Sequence, residues 1–137
     1  MSDQSSLAVV QYAYQSFQRG DIPAVLEALS EDVEWDTPKV VGAPFGGPYR
    51  GKAAVAEFFR ELSAAENVES FEPREFITEG ERVAAIVGYR ARVKATGRLN
   101  ETTLVHIFTV RAGKVTRFLE VYDTAAVERA YQQVASA

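Results

Sequence analysis

The sequence predicts one α+β domain, in which a cone-shaped, curved antiparallel sheet carries helices packed over its concave face. The first half of the chain holds three helical patterns and one early strand, and the second half holds a run of strands. The 137 residues, 47% of them hydrophobic, suffice for a buried core, and no repeat or linker interrupts residues 1–137. A curved sheet covered on its concave side encloses a cavity, where we expect a small molecule to bind.

Two helices are predicted near the N-terminus. Apolar residues recur there at helical spacing: Leu7, Val10, Tyr14 and Phe17. Ser5 or Ser6 can cap the start of this helix, and Gly20 fits just past its end. Asp21 can cap a second helix, with Pro23 in its first turn. These signals place the break between the two helices at residues 20 and 21.

A strand and a third helix follow. Residues 33–37 alternate like a strand, and Pro38 ends it because proline cannot donate to a sheet ladder. Residues 42–51 form a glycine- and proline-rich loop, which we expect to border the mouth of the cavity. The third helix starts near Lys52. Its apolar face consists of Val55, Phe58, Phe59 and Leu62.

The second half of the chain is dominated by strand patterns. Residues 67–78 predict one strand, interrupted at Pro73, and residues 82–95 predict a longer one. The near-continuous apolar run from Val83 to Val87 is typical of burial on both faces. Asp123 can cap a short final helix over roughly residues 124–134.

Before that helix, residues 102–123 predict a hairpin that carries the chain's one histidine, His106, and a glutamate, Glu120. Side by side in an apolar wall, such a pair can take a proton from a substrate and return it. The plain alternative is a hydrogen-bonded core histidine and a solvated strand carboxylate. The register of the hairpin decides between them, because a slip by one residue moves a side chain to the other face.

The turn of the hairpin sets that register. A two-residue turn would require positive φ at Ala112, which is unfavourable for alanine, and would place the pair on opposite faces. A three-residue loop with Gly113 in the left-handed conformation avoids this strain. In that register His106 faces Phe118, and Glu120 is its diagonal neighbour on the same face. We therefore predict that His106 and Glu120 form a catalytic pair.

Composition argues against several classes of function. The net charge is −4 with no basic run, which argues against nucleic acid. Without cysteine no disulfide or thiol nucleophile is available, and one histidine cannot build a histidine-rich site, so we expect no metal and no cofactor. The N-terminus lacks a signal-peptide pattern and no apolar stretch has the length of a membrane span. We therefore expect a cytoplasmic protein without a membrane partner.

Four stretches carry a resemblance to a known group of proteins. They are residues 17–21 (FQRGD), residues 29–38 ending in WDTP, residues 49–52 (YRGK) ahead of two phenylalanines, and residues 113–123 from GKV to YD. Through them nearly the whole chain resembles the nuclear-transport-factor-2-like superfamily, and within it the SnoaL-like and ketosteroid-isomerase-like group. The resemblance implies the cone fold. It leaves the reaction open, since the superfamily includes isomerases, cyclases, epoxide hydrolases, dehydratases and non-catalytic binders.

The family's catalytic positions can be compared with this chain one by one. Steroid isomerases use a tyrosine on the first helix and an aspartate before the proline that ends the first strand. These positions match Ala13 and Thr37, unless the alignment slips by one residue to bring in Tyr14 or Asp36. SnoaL-like polyketide cyclases use a histidine in the penultimate strand and an aspartate in the last, which match His106 and Glu120. Limonene epoxide hydrolase also places an aspartate where Glu120 falls, but its Arg-x-Asp pair matches Leu104 and His106. The resemblance therefore favours the cyclase pattern.

Together these arguments predict a SnoaL-like pocket protein, a cofactor-free acid/base enzyme of isomerase, cyclase, hydratase or hydrolase type that acts on a small apolar substrate. The alternative is a non-catalytic ligand-binding or sensing domain. Six aromatic side chains are predicted to contact the substrate: Tyr14, Phe17, Trp35, Phe59, Phe118 and Tyr122. We also expect a homodimer, because helices cover one side of the sheet only. The hairpin has a second apolar face of Val105, Ile107, Leu119 and Val121.

Overall fold

Helices and strands fill most of the computed structural model, which describes residues 3–133. In chain order the elements are α1 (Asp3–Gln18), α2 (Ile22–Glu27), β1 (Leu29–Thr37), β2 (Gly47–Arg50), α3 (Lys52–Ala65), β3 (Glu66–Glu79), β4 (Arg82–Val93), β5 (Leu99–Arg111), β6 (Lys114–Val121) and α4 (Thr124–Tyr131). The strands join one sheet in the order β2-β1-β6-β5-β4-β3. Within residues 3–133, no helix is long and apolar enough to span a membrane.

The sheet is mixed rather than wholly antiparallel. Neighbouring strands run antiparallel except for β1 and β6, which are parallel. Parallel neighbours need a long connection, and here four strands and α3 lie between β1 and β6 in the sequence. The predicted α+β fold is confirmed, with one parallel pairing that the strand pattern did not indicate.

α1 packs on the core through the stripe that its apolar spacing predicts. Val10 and Tyr14 are buried, and the two outer residues of the stripe are partly buried against the same core. The helix already includes Asp3, ahead of the serines predicted to cap it, and Ser6 is buried instead. The predicted helix is therefore correct in its face and too short at its start.

The connection between α1 and α2 follows the predicted signals. Gly20 has a φ of 75°, in the left-handed region that glycine adopts without a steric penalty. The Asp21 carboxylate accepts a hydrogen bond from the Ala24 backbone N–H at 3.1 Å. Pro23 lies in the first turn of α2, where its missing N–H has no helical partner to lose.

α3 covers the sheet with aromatic residues. It begins at Lys52, as predicted, and its Phe58 and Phe59 belong to the same core cluster as Tyr14 of α1 and Phe118 of β6. The core therefore lies between α1 to α3 and the inward face of the sheet, which is where the cavity forms.

β4 departs from its prediction. Val83, Ala85 and Val87 are buried, whereas Ala84 and Ile86 are only partly buried. Successive side chains of a strand point to opposite faces, so the second pair lies on the outer face, which the described helices leave partly exposed. The prediction that this run is buried on both faces is wrong.

α4 starts where the sequence predicts. The Asp123 carboxylate accepts hydrogen bonds from two backbone N–H groups of the first turn, at 3.1 and 3.2 Å. The helix ends at Tyr131, and residue 134, where its end was predicted, lies outside the described residues. Val127 of α4 reaches the wall of the cavity, so this helix forms part of one end of it.

Candidate active site

The hairpin of β5 and β6 turns through two residues. Arg111 pairs with Lys114, and the residues between them, Ala112 and Gly113, have φ values of 50° and 78°. Positive φ at both central positions is the type I′ arrangement, whose twist matches that of the flanking strands. The predicted three-residue loop is therefore wrong, and Ala112 adopts the strained conformation that this prediction avoided.

A bulge then corrects the register. Val110 pairs with Val115, but the next pair is Thr109 with Arg117, so Thr116 is an extra residue on β6. The Thr116 hydroxyl donates a hydrogen bond to the Thr109 carbonyl at 3.4 Å. One inserted residue exchanges the two faces of the strand beyond it, and this offsets the shorter turn.

As a result, Glu120 lies directly opposite His106. The predicted diagonal relationship is wrong, and Phe118 faces Phe108 instead of the histidine. The two side chains nevertheless lie on the same face of the sheet, as predicted. The Glu120 Oε2 atom lies 2.7 Å from His106 Nε2.

Tyr14 of α1 completes a chain of three side chains. Its hydroxyl lies 2.8 Å from His106 Nδ1, so the imidazole is held at both nitrogens. His106 is 4% exposed, and the side chain of Glu120 is 13% exposed. This arrangement can pass a proton between the tyrosine end and the carboxylate end through the histidine ring.

The donors and acceptors of Tyr14, His106 and Glu120 determine where the protons lie among these three side chains. An ionised carboxylate only accepts, so Nε2 carries the proton that is donated to Glu120. In the neutral ring Nδ1 is an acceptor and the Tyr14 hydroxyl donates to it. In the imidazolium form Nδ1–H donates to the Tyr14 oxygen, and the hydroxyl hydrogen is free for another acceptor.

Tyr14 is held in its neutral form. Burial raises the pKa of its hydroxyl far above the usual value, and the negative charge of Glu120 adds to this effect. The pKa of Tyr122 is raised for the same two reasons in the same order. Both phenols are therefore hydrogen-bonding groups rather than phenolate bases.

The three side chains line a cavity of about 90 Å³ between the sheet and the helices. The wall is almost entirely apolar, and it includes the other five aromatic residues predicted to contact a substrate: Phe17, Trp35, Phe59, Phe118 and Tyr122. Phe45 joins them from the loop before β2, as expected for a loop at the cavity mouth. An apolar cavity with a few convergent polar groups is the usual form of a small-molecule site.

Aromatic contacts hold the site in place. The rings of Trp35 and Phe118 stack with centroids 3.8 Å apart, and Phe118 meets the His106 ring edge-on at 4.7 Å. The Trp35 indole N–H is buried and donates no hydrogen bond within the described part of the chain.

A second polar group in the same wall was not predicted. Glu66, Tyr89 and Asn100 all line the cavity, and Glu66 accepts hydrogen bonds from both other residues and from Tyr131. Asn100 is detectable in the sequence, since it shares the alternation of β5 with His106. Glu66 carries no such signal, because it lies where the helical pattern passes into the next strand.

Fold and site together define a protein of the NTF2-like fold with an apolar internal cavity. The SnoaL-like domain family matches residues 10–118, and the chain belongs to that family. The resemblance inferred from the sequence motifs is confirmed.

Several solved structures are similar over nearly the whole chain. An NTF2-like protein from Burkholderia xenovorans LB400 is 36% identical, with a TM-score of 0.86 over 96% of this chain and 99% of that one. TerC, co-crystallized with polyporic acid, is 29% identical, with a TM-score of 0.83 over 93% and 98% of the two chains. A Xanthomonas campestris protein named as a polyketide cyclase is 25% identical, with a TM-score of 0.76 over 95% and 98%.

A curated relative covers a similar length. An uncharacterized protein of Mycobacterium tuberculosis is 27% identical over 129 residues, which are 93% of this chain and 97% of that protein.

Proposed function

We propose that this protein is a cofactor-free acid/base enzyme that moves a proton on a small apolar carbonyl compound. The observation that carries the proposal is the hydrogen-bonded chain of Tyr14, His106 and Glu120 in the wall of an apolar cavity. An acid and a base held on either side of one imidazole are the minimum that such chemistry requires.

In the proposed mechanism the Tyr14 hydroxyl donates to the substrate carbonyl while the His106 imidazolium supports the tyrosine oxygen. The Glu120 Oε1 atom, which makes no hydrogen bond to another described residue, takes a proton from the carbon next to that carbonyl. Negative charge then develops on the carbonyl oxygen, where the Tyr14 hydroxyl stabilises it. The apolar wall strengthens both interactions by excluding water.

The enolate can react onward in three ways with the same groups. Return of the proton from Glu120 to another carbon is an isomerisation. Attack of the enolate carbon on a second carbonyl in the same molecule closes a ring. Loss of hydroxide from the neighbouring carbon is a dehydration, in which the hydrogen-bonded side chains of Tyr14, His106 and Glu120 supply the proton that converts hydroxide to water. The similarity to the Xanthomonas campestris protein named as a polyketide cyclase supports the ring-closing type.

The test of this function is deuterium exchange, because it detects proton abstraction whatever the later step is. Wild-type protein in D₂O is incubated with β-tetralone and acetophenone, which both carry hydrogens on the carbon next to the carbonyl, and exchange is followed by mass spectrometry. We expect faster exchange than in buffer for at least one compound, and loss of the acceleration in Glu120→Gln. Equal exchange by both proteins would contradict the proposal and favour the alternative, a domain that binds its ligand without changing it.

We further propose that two copies of the chain associate through the outer face of the sheet. The pairing of strands places an apolar row across four of them, consisting of Ile77, Ala84, Ile107 and Leu119. A second row contains Ile86, Val105 and Val121. Val121 is 48% exposed and Ile77 is 58% exposed, and an apolar patch of this extent commonly marks an interface.

A further inference from the structure

Glu66 is a buried carboxylate to which the proposed proton transfer assigns no role. It is 3% exposed and lies at the start of β3. The Tyr89 hydroxyl donates to Oε1 at 2.7 Å, and the Tyr131 hydroxyl donates to Oε2. The Asn100 Nδ2 group lies 3.4 and 3.3 Å from the two oxygens. The described ion pairs include none to Glu66, so hydrogen bonds alone satisfy this carboxylate.

This network fixes the orientation of the Asn100 amide. An ionised carboxylate accepts hydrogen bonds only, so the amide must present its NH₂ group to Glu66 and turn its oxygen away. Asn100 is 5% exposed, and its Oδ1 atom has no hydrogen-bond partner among the described residues. A buried acceptor without a donor is unfavourable for stability. A bound molecule that donates a hydrogen bond to this oxygen would remove that cost.

The cavity connects this amide to the proposed catalytic chain. Alternate residues of β5 line it from one end to the other: Asn100, Thr102, Leu104, His106 and Phe108. Asn100 and His106 are six residues apart on one face of the strand, which is roughly 20 Å between their backbones. The wall between the two ends is apolar and aromatic, so a molecule that reaches both ends is elongated and has rings in its middle. Such a molecule is larger than the cavity of about 90 Å³, so its binding requires side chains of the wall to move apart.

We propose that Asn100, oriented by Glu66, is a second binding subsite, which accepts a hydrogen bond from a hydroxyl group at the far end of an elongated aryl carbonyl substrate. This proposal rests on the proposed function, since it places the reacting carbonyl at Tyr14. It adds the class of substrate, a hydroxylated aromatic compound with at least two rings. The raised pKa values of Tyr89 and Tyr131, caused mainly by burial and by Glu66, keep both phenols as donors that hold the carboxylate in position.

The experiment is calorimetric titration of the full chain with chalcone, p-methoxychalcone and p-hydroxychalcone, substituted on the ring remote from the carbonyl. The three compounds share an enone group, which reacts with thiols. This chain has no cysteine, so that reaction does not interfere with the titration. Only the hydroxyl compound can donate to Asn100 Oδ1. We expect it to bind to the wild-type protein about tenfold more tightly than the methoxy compound, the contribution of one neutral hydrogen bond.

Two variants assign that preference to a residue. Asn100→Leu removes the acceptor at similar volume, and we expect the preference to disappear while unsubstituted chalcone still binds. Thr102→Val removes the nearest other polar group of the wall on β5, and we expect the preference to persist. Loss of the preference in Thr102→Val, with retention in Asn100→Leu, would overturn the proposal.

The wild-type titrations decide the matter even if Asn100→Leu does not fold. Equal affinity for the hydroxyl and methoxy compounds, or no binding of any of the three, would overturn the proposed subsite. Glu120→Gln separates this proposal from the proposed function, because we expect it to lose deuterium exchange and keep the tenfold preference. If the wild-type protein shows the preference but accelerates no exchange, the subsite stands and the catalytic mechanism alone is contradicted.

Discussion

Glu120 faces His106 across β5 and β6 because an extra residue in one strand offsets a short turn. The turn at Ala112 and Gly113 would by itself place the two side chains on opposite faces of the sheet. The bulge at Thr116 returns them to one face, with 2.7 Å between Oε2 and Nε2. The proposed site therefore depends on backbone features about four to eight residues away from its carboxylate.

The conformation of Ala112 leads to a prediction about stability. A non-glycine residue at positive φ is strained by about 1 kcal/mol, and asparagine tolerates this region better than alanine does. We expect Ala112→Asn to raise the free energy of unfolding by about 0.5–1 kcal/mol. Ala112→Pro should lower it by more than that, because proline cannot adopt a φ of 50°. Urea denaturation of both variants measures the effect, and a stabilising Ala112→Pro would contradict the turn.

The same turn shows where sequence reasoning reaches its limit. Helix stripes and caps are local, so the face of α1 and the caps at Asp21 and Asp123 could be read directly from residue spacing. The hairpin could not, since the strain at Ala112 is tolerated for the sake of strand twist and the bulge at Thr116 has no residue signature. The short turn and the bulge offset each other. The prediction that His106 and Glu120 share one face is therefore correct, although the predicted register is wrong.

Contacts between distant elements were harder still to predict. Tyr14 was recognised as a residue of the cavity wall, but its hydrogen bond to His106 joins positions 92 residues apart and depends on how α1 lies over the sheet. The group around Glu66 joins residues of β3, β4, β5 and α4. No local pattern encodes such a meeting point, because each residue alone is compatible with an ordinary strand or helix position.

The catalytic proposal predicts graded losses of deuterium exchange. Glu120→Gln removes the base, and we expect a loss of about 10²–10⁴-fold, the usual contribution of general acid–base catalysis. Tyr14→Phe removes the donor to the carbonyl, and we expect a loss of about 10²-fold or more. Exchange rates in D₂O under identical conditions measure both effects.

A matched tyrosine–glutamate pair outside the candidate site provides the control. The Tyr49 hydroxyl donates to Glu61 Oε1 at 2.8 Å, and neither residue lines the cavity. Tyr49→Phe and Glu61→Gln should leave exchange unchanged. A comparable loss in this pair would mean that the effects at Tyr14 and Glu120 arise from the fold as a whole.

The buried phenols predict how stability changes in alkaline solution. Burial and nearby carboxylates raise the pKa of Tyr14 and Tyr89 in the folded protein above the unfolded value of about 10. Below pH ~10 both groups are protonated in both states, so they add no pH dependence. Above it the unfolded chain loses protons that the folded protein keeps, and stability falls by about 1.4 kcal/mol per tyrosine by pH ~11.

Phenylalanine variants test this pH dependence. Tyr14→Phe should remove about 1.4 kcal/mol of the stability loss between pH ~9 and pH ~11, measured by urea denaturation at each pH. Tyr12→Phe removes an exposed tyrosine of the same helix and should leave that loss unchanged. An identical alkaline loss in wild-type protein and Tyr14→Phe would contradict the burial of this hydroxyl.

The outer face of the sheet predicts the state of association. Val121 is 48% exposed at the end of β6, beside Val105 in the second of the two apolar rows. A charge placed within these apolar rows must be desolvated when two copies meet, so Val121→Asp should convert a dimer to a monomer at micromolar concentration. Val41→Asp adds the same charge at a 75% exposed position in the loop after β1 and should leave the dimer intact. Light scattering coupled to size-exclusion chromatography measures both masses, and a wild-type protein that is monomeric at this concentration would contradict the proposed interface.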